Sequence, residues 1–124
     1  MAIIKQQQYQ HESNTWERLL DFFRQENAFL KNRLSEVLDS REDKSFVSTA
    51  EHFQNEFLLK DDYINELRRD IKEQQRQIKI CLQDGIEING KLLKKHEKLR
   101  NEIRYFENGF SDLKNEFNQS LAAL

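Results

Sequence analysis

Residues 78–92 read Ile-Lys-Ile-Cys-Leu-Gln-Asp-Gly-Ile-Glu-Ile-Asn-Gly-Lys-Leu, and this stretch decides between two folds. Up to Cys81 the apolar residues recur in alternating steps of three and four, the spacing that keeps one helical stripe turned towards a neighbouring helix. At Gln83-Asp84-Gly85-Ile86 that register stops. Gly85 suits the left-handed position just past a helix end, with Ile86 folding back towards Cys81 to close it. Read so, the chain reverses here and the flanking helices form an antiparallel hairpin. The alternative is a four-residue stutter carrying the stripe through Leu82, Gly85, Asn89 and Leu92. One long helix would then result, and its core would come from a second chain as an intermolecular coiled coil. Two glycines and an Asp-Gly pair favour the reversal, since each interior glycine costs a helix about 1 kcal/mol relative to alanine.

The same spacing runs outward in both directions. Before the reversal it links Ala50, Phe53, Phe57, Lys60, Ile64, Leu67, Ile71, Gln74, Ile78 and Cys81; after it, Leu92, His96, Leu99, Ile103, Phe106, Phe110, Leu113 and Phe117. A third stripe, Trp16, Leu20, Phe23, Asn27, Leu30, Leu34 and Val37, extends less regularly backwards through Ser13 and Tyr9. Between the first and second stripes, residues 39–47 are polar and lose the period. Ser48 with Glu51, and Asn14 with Glu17, have the type and spacing of capping boxes. The predicted helices therefore span about 14–38, 48–82 and 88–121, with residues 1–12 frayed or extending helix one.

Facing positions in an antiparallel pair follow from the stripes. A turn at Gly85 sets Phe57 against Leu113, Ile64 against Phe106, Ile71 against Leu99 and Ile78 against Leu92. A turn inside the polar connection sets Leu20 against Leu67, Phe23 against Ile64 and Leu30 against Phe57. A slip by one heptad stays possible in the longer first connection. Combined, the pairings predict an all-α, up-down-up, antiparallel three-helix coiled-coil bundle over 1–124, built of layers such as Leu34–Phe53–Phe117 and Trp16–Ile71–Leu99.

Composition agrees. The 124 residues include no proline and three glycines, so nothing forces a helix to break. Strand-like alternation is lacking. Formal net charge is −2, which argues against a polyanion binder as a class. The distribution is less even: residues 36–66 hold nine acidic against three basic residues, and residues 68–104 hold eleven basic against six acidic. The lone Cys81 has no partner for an intramolecular disulfide, as expected of a reducing, cytoplasmic setting. Ile3 and Ile4 make too short a run for a signal peptide, and no run is long enough to span a membrane.

Chemistry is sparse. A carboxylate-bridged metal site in a helical bundle uses Glu-x-x-His on two helices, but His11, His52 and His96 follow Gln8, Thr49 and Leu93 at that spacing. No Ser/His/Asp set, phosphate-cradling glycine loop or Cys/His metal spacing occurs. The expectation is no enzyme, no cofactor and no metal. Polar residues on the stripes fall into two layers, Asn27 with Lys60 opposite Phe110, and Gln74 with His96 opposite Ser13. They select register, or they form an internal site for a small ligand or a proton. Lys91, Lys94, Lys95, Lys98 and Arg104 could meet phosphates, with Tyr105 to stack a base; as a solvated helix face they need no partner. Phe22, Phe29, Leu59, Ile80 and Tyr105 lie off the stripes, flanked by Leu19 and Tyr63. The sequence thus points first to a helical interaction or assembly protein, binding itself or a partner helix through Leu19, Phe22, Phe29, Leu59 and Tyr63. The alternatives are a nucleic-acid-associated accessory protein using residues 91–104 and, more weakly, a ligand-binding bundle.

Overall fold

The computed structural model describes residues 2–41 and 44–124, with side chains from Lys5 onward. Three helices, α1 (Ala2–Ser40), α2 (Lys44–Asp84) and α3 (Gly90–Ala122), make up nearly all of it, and no strand occurs among the described residues. They pack up, down and up as a three-helix bundle within one molecule. Glu42 and Asp43 of the polar connection lie outside the described residues.

The second reversal is built as its sequence requires. Gly85 has φ +66°, a backbone conformation that a Cβ disfavours. Its placement lets the Ile86 N–H donate to the Cys81 carbonyl at 2.9 Å, the long bond of a Schellman end. Asn89 then caps α3, its side chain accepting from the Leu92 N–H at 2.8 Å. A helix running straight through 84–90 is thereby excluded.

Two predicted helix starts are corrected. Asn14 and Ser48 are interior residues, because α1 begins at Ala2 and α2 at Lys44. Ser13 and Thr15, near the expected first cap, donate instead to the carbonyls of Gln10 and His11 within the helix. Tertiary contacts outweigh the local capping signals. Phe46 is buried in the core, and Gln6 is buried and donates to the Ile86 carbonyl at 2.6 Å. Helices of 39, 41 and 33 residues give a rod about 50–60 Å long at 1.5 Å per residue, longer than the predicted boundaries imply.

The heptad registers hold. Phe53 meets Phe117 edge to face at 5.2 Å between ring centroids, and Phe23 meets Phe106 at 5.3 Å. Asn27 reaches across to the Phe57 carbonyl and to Asp61, so the first reversal has not slipped by a heptad. Leu20, Phe57, Ile71 and Ile78 are fully buried, whereas Cys81, at the end of its stripe, is only half-buried.

Ion pairs beside the core show how the helices are arranged around one another. In heptad letters a to g, with a and d in the core, α1 uses its g residues towards α3: Glu12 binds Arg100 and Glu26 binds Lys114, both at e. It uses its e residues towards α2, where Lys31 binds Asp61 at 2.5 Å and Glu17 accepts from Gln75. On α3 the opposite, g side meets α2, with Gly109 beside Lys60 and Glu102 acting on Tyr63. Each pair is partly exposed and contributes little stability; together they fix which flank of each helix is covered.

Candidate functional site

The two predicted polar layers have different fates. Asn27 is fully buried and its amide N–H groups donate to the Phe57 carbonyl at 2.9 Å and to Asp61 at 2.8 Å, leaving Oδ1 without a partner. Lys60 does not join it. It is half-buried, and its stem carries the ammonium out of the core to a point 5.9 Å from the Phe106 ring centroid. Gly109 makes room there, since a Cβ at that position would stand 3.3 Å from Lys60 Nζ. Lysine leaves the layer by its length.

Gln74 and His96 do come together, and the cluster is larger than the sequence reading proposed. His96 is 1% exposed, with its ring between Tyr9 (4.6 Å between centroids) and Trp16 (4.7 Å). Gln74 Nε2 donates to the Leu92 carbonyl at 3.1 Å and faces His96 Nδ1 at 3.5 Å. On its other edge His96 Nε2 lies 2.6 Å from Glu12 Oε1, while Arg100 donates to both Glu12 oxygens at 2.8 and 2.7 Å. Ser13, the third member of the layer, is buried but donates to its own helix. The Arg100 hydrogen bonds hold the Glu12 carboxyl below its ordinary range. Burial holds the His96 imidazole below its own, with the Glu12 carboxylate offsetting part of that effect.

Glu12 was not among the residues singled out from the sequence. Its signal was available: an acidic g residue on α1 faces a basic e residue on α3, and Glu26 with Lys114 repeats the pattern.

The off-stripe apolar residues divide. Leu19, a g residue, turns towards α3 and lines a groove of about 610 Å³ between α1 and α3 together with Tyr9, Trp16, Ile103 and Arg104. Phe22 and Phe29 lie beside it on the outer surface of α1, 56% and 64% exposed. Leu59 and Tyr63 lie on the other side of α3. Tyr63 is half-buried and stacks on Phe106 at 5.6 Å, and burial, with the Glu102 carboxylate, pushes its hydroxyl pKa up. The five residues grouped as one face in the sequence reading therefore occupy two flanks of the bundle, and Tyr63 is engaged by the fold.

The basic stretch divides in the same way. Lys94, Lys95 and Lys98 line the α2–α3 side with Asp70 and Glu102, and Lys98 lies 3.7 Å from Glu102. Lys91 and Lys95 also border a groove containing Glu73, while Arg104 belongs to the α1–α3 groove with Glu12 and Glu107. No continuous basic track forms from residues 91–104, and carboxylates stand within each part.

Among the described residues no group of three or more His, Cys, Asp and Glu side chains is placed to hold a metal ion, and no helix is long and apolar enough to cross a membrane. The chain matches no known protein-family model, and neither a curated protein nor a solved structure is significantly similar to it.

Proposed function

We propose that this chain is a non-enzymatic interaction or assembly module that docks a helix, from a partner or from a second copy, along the outer stripe of α1. One observation carries the reading. Phe22 and Phe29 stand one heptad apart on the same stripe, each more than half exposed, on a helix whose opposite side is already filled by the core. Leu19 continues the stripe into the α1–α3 groove. Two exposed phenylalanines at helical spacing are what a helix-in-groove contact uses as anchors. Isolated apolar surface residues are common, whereas apolar residues aligned along one stripe form the kind of continuous exposed surface that marks an interaction site.

Light scattering tests this directly. The unaltered chain should have a mass above that of the monomer, alone or with a protein captured from cell lysate, and Phe22→Glu/Phe29→Glu should return it to the monomer. Because the contact is apolar, raising the salt concentration should leave the association in place; phosphate-driven binding would weaken steeply. A monomer in both forms, with no captured protein lost on mutation, would end this reading.

A further inference from the structure

We infer that the helix docked on the outer stripe of α1 is α1 of a second copy, lying antiparallel about a two-fold axis level with Asn27. The inference rests on the docking reading above and names its occupant.

The outer face of α1 carries a stripe of its own. Arg18, Phe22, Gln25, Phe29, Asn32 and Glu36 follow one another in steps of four and three, the spacing that keeps side chains in line on a helix. All six are exposed. They lie between the e flank, which meets α2, and the g flank, which meets α3. Between Arg18 and Glu36 the stripe holds two aromatic rings, two amides and no charge. The matching stripe of α2 runs Asp62, Glu66, Arg69, Glu73 and Arg76, all charged and all exposed. Aromatic enrichment with loss of charge is what distinguishes the centre of a protein–protein interface from the surface around it.

The charges at the two ends of the stripe identify the occupant. A two-fold interface is self-complementary: what one copy offers, the same residues of the other must accept. With the axis level with Asn27, Arg18 lies opposite Glu36 of the second copy, Phe22 opposite Asn32, and Gln25 opposite Phe29. On the g flank Glu26 faces Arg33 of the second copy, in the relation that Lys31 has to Asp61 between α1 and α2. By symmetry each of these contacts occurs twice.

Other arrangements fail on charge. Parallel α1 helices would set Arg18 against Arg18 and Glu36 against Glu36. Slipping the antiparallel pair by one heptad sets Glu26 against Glu26 in one direction. In the other it sets Arg33 against Arg33 and Phe22 against Asp39. Only the axis at Asn27 places both rings opposite amides and each of the four charges opposite its complement. The side chains are available for this. Arg33 and Glu36 hold each other at 3.6 Å, 53% and 69% exposed, a weak local pair that intermolecular ones can replace. The rings supply the burial, and the charges at the rim select orientation and register more than affinity.

Charge reversal, read by sedimentation equilibrium, tests the arrangement. Arg18→Glu alone should weaken self-association at least about tenfold, since it places two like-charge contacts in each dimer, and Glu36→Arg should do the same. Raising the salt concentration should shrink both defects. Mixed in equal amounts, the two variants should pair with each other as tightly as the unaltered chain. The double reversal Arg18→Glu/Glu36→Arg should regain self-association, with circular dichroism confirming that these exposed changes leave the helices intact. Weakening that neither the mixture nor the double reversal restores would overturn the arrangement. A dimer that Phe22→Glu/Phe29→Glu disrupts but both reversals leave unchanged would overturn it too, while the docking reading stands. The same holds for a monomer that captures another protein through the two phenylalanines. A monomer that captures nothing, or an association that survives Phe22→Glu/Phe29→Glu, overturns both.

Discussion

The two ends of this bundle are built on different chemistry. At the end where α1 meets the start of α2, the core is aromatic and dry: Phe46 is buried there, and Phe117 packs edge to face on both Phe53 and Phe57. At the other end, around the Gly85 reversal, the buried residues include Gln6, Ser13, Gln74 and His96. Both ends keep the same heptad spacing, so the difference lies in what fills the positions. Burial of rings at the dry end is large and indifferent to register, because one phenylalanine fits against another in several ways. Hydrogen bonds at the polar end contribute less net free energy, but each tolerates only one partner arrangement. On this contrast the aromatic end should supply more of the stability and the polar end more of the alignment.

The largest test of that contrast is Phe57→Ala. Phe57 is fully buried, so the change should cost about 3–5 kcal/mol, read as a lowered midpoint in urea unfolding followed by circular dichroism. A loss near 1 kcal/mol would mean that the dry end is not where stability resides. Next in size is Gly85→Ala at the polar end. Nothing lies within 4 Å of a Cβ there, so the whole effect is the left-handed backbone, a loss of about 1–2 kcal/mol. Exchange should quicken first at Gln6 and Ile86, whose contact depends on the turn. A neutral outcome would show that the reversal is set elsewhere. Smallest is Asn27→Leu, between the two ends. It removes a buried amide with an unpaired oxygen, and stability should rise by about 1 kcal/mol, while sedimentation should reveal a mixture of association states as alignment loosens. A single well-defined species would place register selection in the Gln74–His96 layer alone.

Much of this was legible in the sequence, for reasons that particular residues make plain. Asp84-Gly85-Ile86 carries its own turn chemistry, and steps of three and four leave little freedom in choosing core residues. Helix starts were less legible. Asn14 and Ser48 have the local form of caps, but Gln6 and Phe46 find partners far away in sequence, and the gain from those contacts exceeds what a cap provides. The candidate face was split for another reason. Pairing rules give the facing residues but not whether α3 sits on the g or the e side of α1, so Leu19 and Tyr63 could be assigned to one surface when they flank α3 from opposite sides. The Glu12–Arg100 and Glu26–Lys114 pairs held that information as charge order along the chain. The His96 cluster was half-visible, because Gln74 and His96 share a layer, whereas Glu12 enters only once that side is known.

The parallel seam between α1 and α3 has a kinetic consequence. Its pairs, Glu12 with Arg100 and Glu26 with Lys114, are separated by 88 positions, whereas each antiparallel hairpin begins from residues only a short reversal apart. Chain closure over so long a span is entropically slow compared with zipping from a turn. The two hairpins that share α2 should therefore assemble early, and the first and last helices should meet in the final step of folding.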